Sequence, residues 1–94
     1  MFSQNQDSPE SDTNTIHVKI FSPAEVYFDG LAASISAVND TGAFDILPSH
    51  HNFITLLNPC DIDISLQNKE HIKIKIKNGV MHVKLNIITV FLDI

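Results

Sequence analysis

Between Cys60 and Lys77 this chain alternates with period two, and that alternation limits the fold more than any other feature. Ile62, Ile64 and Leu66 are separated by Asp61, Asp63 and Ser65; after a short polar break, Ile72, Ile74 and Ile76 are separated by Lys73, Lys75 and Lys77. Successive side chains of an extended backbone point to opposite faces, so each segment carries one aliphatic face and one charged face. Wound as helices, the same residues would scatter their isoleucines around the whole circumference. Folding the pair as a hairpin about Lys69 sets Asp63 opposite Lys75 and Asp61 opposite Lys77, each pair contributing about 0.2–1 kcal/mol. A slip of one residue would turn every isoleucine outward, so the faces are strongly specified.

The rest of the chain from Ile16 keeps the same period. Ile16, Val18 and Ile20 alternate with His17 and Lys19 until Ser22-Pro23 breaks the strand. Val26 and Phe28 form a short second strand closed at Asp29-Gly30, and Leu31 to Val38 follows with small residues that let a neighbouring sheet approach closely. Asn39, Asp40, Thr41 and Gly42 read as a turn, since Asx side chains bond their own backbone and glycine accepts positive φ. Ala43 to Leu47 is a strand with Phe44 and Ile46 on one face. Pro48 ends it, and the polar knuckle Ser49, His50, His51, Asn52 is a corner where the chain changes sheets before the apolar run from Phe53 to Leu57. Pro59 ends that segment. Asn78-Gly79 suits a type I′ hairpin into Val80 to Leu85, and Ile87 to Leu92 is the last strand. The pattern predicts an all-β fold, a flattened antiparallel β-sandwich of about nine or ten short strands with no helical domain. It occupies residues 16–94; residues 1–15, with only Met1 and Phe2 apolar, are expected to be a disordered polar tail.

Ninety-four residues support one domain of limited burial, which gains from a partner. A net charge of −5, with six lysines and no arginine, excludes a nucleic-acid binder, which needs clustered cations to displace counterions. The single Cys60 cannot close an internal disulfide, and neither a signal peptide nor a run of membrane-spanning length is present, so a reducing, cytosolic setting is expected.

No constellation for catalysis stands out. His50 and His51, with His17 and Cys60, raise the question of a metal site, but neighbouring residues of an extended segment point to opposite faces and would not share an ion without a special turn. Cys60 has no positioned base beside it in sequence, and the facing lysines account for Asp61 and Asp63 as solvated cross-strand partners. The three glycines show no phosphate-cradling spacing. The reading is therefore a non-enzyme with no catalytic, cofactor or metal residues, working through its surfaces.

The stretch Thr41 to Leu57, taken with Ser22-Pro23, Phe28 and Gly30, resembles the amino-terminal domain of the epsilon subunit of F-type ATP synthases. That family's signature runs glycine, any residue, hydrophobic, glycine, isoleucine, aliphatic, proline, any residue, histidine. Gly42, Phe44, Ile46, Leu47, Pro48 and His50 match it, whereas Asp45 stands where glycine is usual and Asn52 where proline is usual. The likeness extends from about Ile16 to Asp93 and implies a ten-stranded sandwich in the central stalk. There, a non-catalytic rotor subunit links the gamma subunit to the ring of c subunits and couples ion translocation to ATP synthesis. It implies a peripheral place on the cytoplasmic side of the energy-transducing membrane, reached only through the complex. Residue by residue, the resemblance carries Ser22, His50 and Thr55, with Phe53 close by, to the gamma-facing side, and Asn39, Asp40, Thr41, Gly42 and Ala43 to the c-ring contact. In the family the strand matched by Asp93 continues into a two-helix hairpin that binds ATP in some members; with the sequence stopping at Ile94, no cofactor and no nucleotide are expected. The alternative is a stand-alone β-sandwich module for an unrelated protein partner.

Overall fold

The structure, a computed structural model, describes residues 14–92. These residues form nine strands: β1 (Ile16–Phe21), β2 (Val26–Ala32), β3 (Ser34–Asn39), β4 (Gly42–Ile46), β5 (Phe53–Leu57), β6 (Cys60–Ser65), β7 (His71–Ile76), β8 (Gly79–Lys84) and β9 (Ile87–Leu92). A five-stranded sheet in the order β2-β1-β9-β8-β5 packs on a four-stranded sheet in the order β4-β3-β6-β7. The tail expected over residues 1–15 lies outside the described residues except for Asn14 and Thr15. Thr15 is buried, so the folded unit begins at least one residue earlier than the hydrophobic pattern suggested. Asp93 is likewise outside them.

The alternating residues meet in one core between the sheets. Ile16, Val18 and Ile20 of β1, Met81 and Val83 of β8 and Ile88, Val90 and Leu92 of β9 face Ile35 and Ala37 of β3, Ile46 of β4 and Ile62, Ile64 and Ile76 of β6 and β7. The chain changes sheet four times: at Ala33, across 47–52, at Asn58-Pro59 and at Lys77-Asn78. The expected sheet change at the Ser49 to Asn52 corner is among them.

Four sequence expectations are corrected. First, the sandwich is not wholly antiparallel, because β9 inserts beside β1 and runs parallel to it, with Ile87 beside His17 and Phe91 beside Phe21. Alternation constrains which face a residue takes and says nothing of strand direction. Second, β2 continues through Asp29-Gly30 to Ala32, and the break falls at Ala33, where the chain leaves one sheet for the other. Third, the β6–β7 hairpin turns about Asn68 and pairs Asp61 with Lys75 and Asp63 with Lys73. Its loop has three residues, Gln67, Asn68 and Lys69, with Lys69 at φ 72°, the arrangement in which a left-handed residue closes a three-residue hairpin. A shift of two residues leaves every isoleucine facing inward. Asp63 accepts a hydrogen bond from His71 Nδ1 (2.9 Å), and no Asp–Lys ion pair forms on this face among the described residues.

Fourth, Asn78-Gly79 is no hairpin. It joins β7 in one sheet to β8 in the other, and Gly79 does not have positive φ. The two-residue hairpin is Leu85-Asn86, between β8 and β9, with Leu85 at φ 56°. Gly79 is there for space, since a Cβ at that position would lie 2.9 Å from Leu92 Cδ2 and 3.1 Å from the Phe91 carbonyl oxygen.

Candidate functional site

The β3–β4 turn is built by its own side chains. Asn39 Oδ1 accepts from the Thr41 amide (2.9 Å) and from Thr41 Oγ1 (2.7 Å), and Gly42 takes φ 117°. Nothing lies within 4 Å of a Cβ built on Gly42, so backbone conformation alone requires glycine there. Asn39 also donates through Nδ2 to Thr55 Oγ1 on β5 (3.0 Å), across the seam where the two sheets meet. Further along that seam Phe44 meets Phe53 edge to face, with ring centroids 6.1 Å apart, and His50 packs on Phe53 at 5.2 Å. Asn39, Thr41, Gly42, Phe53, Thr55 and His50 thus lie along one flank, with the turn at one end and the corner at the other.

The corner is held from outside its own segment. The Ser49 amide donates to Asn86 Oδ1 (2.7 Å) and the Leu85 amide donates to Asn52 Oδ1 (2.8 Å), tying Ser49 to Asn52 to the β8–β9 turn. Ser49 has φ 69°, the special turn that extended geometry lacks. As a result the His50 and His51 rings stack, 4.6 Å apart, instead of pointing to opposite faces as expected from the sequence. His50 Nδ1 donates to the His51 carbonyl (2.8 Å), which occupies that ring nitrogen. No group of three or more His, Cys, Asp or Glu side chains is placed to hold a metal ion among the described residues.

Ser22 stands apart from the other expected site residues. It follows β1 at the level of Leu92, Gly79 and Leu57, the end of the five-stranded sheet opposite the Leu85-Asn86 turn and three strands from β5. It is buried, and its Oγ accepts from the Ala24 and Glu25 amides at 3.2 and 3.3 Å, closing the β1–β2 turn.

Sequence reasoning missed the outward face of the five-stranded sheet. Register aligns Val26, Phe21, Phe91, Val80 and Leu56 in a row across all five strands, with Leu56 69% exposed and Val26 56%. Phe21 and Phe91 pack together at 5.1 Å. The next row holds Asp29, Lys19, Thr89, His82 and Ile54, and the third holds Leu31, His17, Ile87 and Lys84. The outward face of the other sheet is polar by contrast, carrying Ser36, Asp45, Asp63, Lys73 and Lys75. The signal was available, because FITLL and IITVFL are apolar at both parities, as strands covered on both faces are.

Residues 15–94 match the family described as ATP synthase, Delta/Epsilon chain, beta-sandwich domain. The chain belongs to that family. Among relatives of this delta/epsilon sandwich, the ATP synthase epsilon chain of Xanthomonas oryzae pv. oryzae (strain MAFF 311018) is 30% identical over 80 residues, covering 85% of this chain and 57% of its own length. That of Delftia acidovorans is also 30% identical over 80 residues, covering 85% and 58%. The chain therefore spans a little over half the length of these relatives. The fold is shared with a chain of the Euglena gracilis mitochondrial ATP synthase (OSCP/F1/c-ring), with TM-score 0.79, 17% identity, and 97% of this chain and 59% of that one covered. A chain of the Tetrahymena thermophila mitochondrial ATP synthase (central stalk/c-ring) has TM-score 0.66 and 19% identity, with coverage of 82% and 62%. The two departures from the family signature each have a partner in this sandwich. Asp45 Oδ1 accepts from Ser36 Oγ (2.6 Å), and Asn52 makes the bond to Leu85 described above. No helix of the described residues is long and apolar enough to cross a membrane.

Proposed function

We propose that the chain is a non-catalytic rotor subunit of an F-type ATP synthase, holding the gamma subunit against the c ring and coupling ion translocation to ATP synthesis. It sits on the cytoplasmic side of the energy-transducing membrane, which it reaches only through the ring. The gamma subunit docks on His50, Phe53 and Thr55, with Ser22 reached separately, and the ring docks on Asn39 to Ala43. The observation that carries this reading is the match of residues 15–94 to the ATP synthase delta/epsilon sandwich, and what supports the assignment of surfaces is the Asn39–Thr55 hydrogen bond. It fastens the ring-facing turn to the gamma-facing strand, so a push on one flank position is handed to the other without passing through a loop. Exposed polar contacts contribute under about 1 kcal/mol each, so coupling rests on the shape of this flank and on several contacts together.

The test is assembly of the purified chain with its cognate gamma subunit and c ring. Thr55→Asp places an unpaired charge in the gamma contact and is expected to weaken gamma retention more than about tenfold. The isolated domain keeps its circular dichroism, because the new carboxylate can accept from Asn39 Nδ2. Gly42→Val, at φ 117°, strains the turn by about 1–3 kcal/mol and is expected to impair ring binding of the gamma-bound pair more than Asp40→Asn does. Wild-type gamma retention by Thr55→Asp together with wild-type ring binding by Gly42→Val and Asp40→Asn would refute this assignment of surfaces. Failure of the unmodified chain to retain gamma would leave the stand-alone interaction module as the reading.

A further inference from the structure

A hollow of about 370 Å³ opens on the outward face of the five-stranded sheet, lined by His82 and Lys84 of β8, Leu85 of the following turn, and Ile87 and Thr89 of β9. Small-ligand sites run from roughly 300 to 1,000 Å³ and combine apolar walls with a few polar groups, as this lining does. Strand alternation and register build it. Thr89 stands beside His82 and Ile87 beside Lys84, so four outward side chains surround one patch of the β8–β9 pair. Leu85 and Ile87 are 63% and 53% exposed, leaving aliphatic surface uncovered at the turn end.

The polar groups of the hollow are unpaired: His82, Lys84 and Thr89 make no side-chain hydrogen bond or ion pair among the described residues. All three can donate, through an imidazole N–H, an ammonium and a hydroxyl. Lys19 brings a second cation to the rim, next to Thr89 on β1, where it rests 5.3 Å from the centre of the Phe21 ring. The acid of the same row, Asp29, is held by His17 Nε2 at 2.7 Å. The hollow thus offers donors and positive charge with no carboxylate in its lining, which selects an anion. One lysine in the lining balances one negative charge, and the chain has no arginine to fork onto a phosphate, so the matching anion is a carboxylate. The aliphatic walls require hydrocarbon beside it.

We propose that this hollow binds an amphiphilic monocarboxylate, its carboxylate accepting from Lys84, Thr89 and His82 and its hydrocarbon body lying on Leu85 and Ile87. The exposed charge pair mainly orients the ligand, and the hydrocarbon supplies most of the affinity. The site uses none of the residues assigned to gamma and the ring, so it stands or falls apart from that assignment.

The experiment titrates the full chain with octanoate and follows its amide NMR spectrum. Octanoate is expected to shift His82, Lys84, Ile87 and Thr89 saturably, with half-saturation on the order of 1 mM, because a short hydrocarbon chain is only partly covered there. Ser36 and Asp63, on the other sheet, stay in place. Lys84→Gln, which removes the charge, and Thr89→Val, which removes the hydroxyl, are each expected to weaken octanoate about fivefold, the scale of an exposed charged contact. Lys73→Gln, an exposed lysine of the other sheet, leaves it unchanged. Octanol is expected to bind about fivefold more weakly than octanoate, and 0.5 M salt to narrow that difference by screening. Both variants keep wild-type resonances away from the hollow, which separates a lost contact from a lost fold. Equal binding of octanol and octanoate, with octanoate affinity unchanged in Lys84→Gln and Thr89→Val, would overturn the proposal. So would shifts that never saturate and spread along the Phe21–Phe91 row, the mark of adsorption to apolar surface in general.

Discussion

Replacing Gly79 by valine is expected to lower the unfolding free energy by about 1–3 kcal/mol, the range for overpacking a filled interior. For a domain of this size that corresponds to a fall in melting temperature of at least about 4 °C. The cause is location. Gly79 opens β8 opposite both Leu57 and Leu92, and an added Cβ meets the Phe91 carbonyl oxygen at 3.1 Å as well as Leu92 Cδ2 at 2.9 Å. A side chain can rotate away, but a carbonyl inside the β8–β9 ladder moves only with its strand. Gly30→Ala is the control, because a Cβ there comes no closer than 3.5 Å to the Phe28 ring, an ordinary contact. Thermal unfolding of both variants checks the expectation. An unchanged midpoint for Gly79→Val would mean that Leu92 and β9 yield easily, so that the packing of this end is looser than the contacts suggest.

A larger loss is expected for Ile64→Ala, about 2–5 kcal/mol by urea unfolding. Ile64 is fully buried in β6, between Ile35 on β3 and Ile72 on β7 in register, and belongs to the core between the two sheets. Neighbours on both sides belong to hydrogen-bonded strands, so they cannot collapse into the space left. A loss under about 1 kcal/mol would show that the sheets close over the cavity. The effect on assembly also separates the two kinds of residue. Under the gamma contact proposed above, Ile64→Ala would reduce partner binding only in proportion to the unfolded population, and stabilising co-solvent would restore it, whereas Thr55→Asp would remain defective in a fully folded protein.

The alternation of Ile62, Ile64 and Ile74 was legible because a half-buried strand must put its apolar residues on one face, and that is a local requirement of backbone geometry. The same holds for the Asn39 to Gly42 turn, whose glycine takes the positive φ expected of it. Asn78-Gly79 shows where local reasoning fails. The dipeptide fits a tight turn, yet its strands belong to different sheets, and the glycine answers a contact with Leu92 that lies thirteen positions away in the chain. Leu85, a poor residue for positive φ, makes the actual turn, its amide held by Asn52 of the corner that precedes β5.

The candidate flank was legible only through the resemblance. Composition and spacing identified the Asn39 turn and the His50 corner as irregular places, and the family pattern supplied roles for them. That the two are joined through Thr55, while Ser22 sits across the sheet closing a turn of its own, could not be read from separations along the chain.

By itself the sequence determined the fold class, the inward face of nearly every strand and the main polar turns, since each follows from side-chain alternation or from the φ preferences of single residues. Only the tertiary structure decided which strands share a sheet, the parallel seam of β1 and β9, the register of the β6–β7 hairpin and the alignment of outward apolar residues from five strands into one row through Phe21 and Phe91. Those depend on pairings between residues distant in the chain, which burial on one face leaves free and which only packing of the whole sandwich selects.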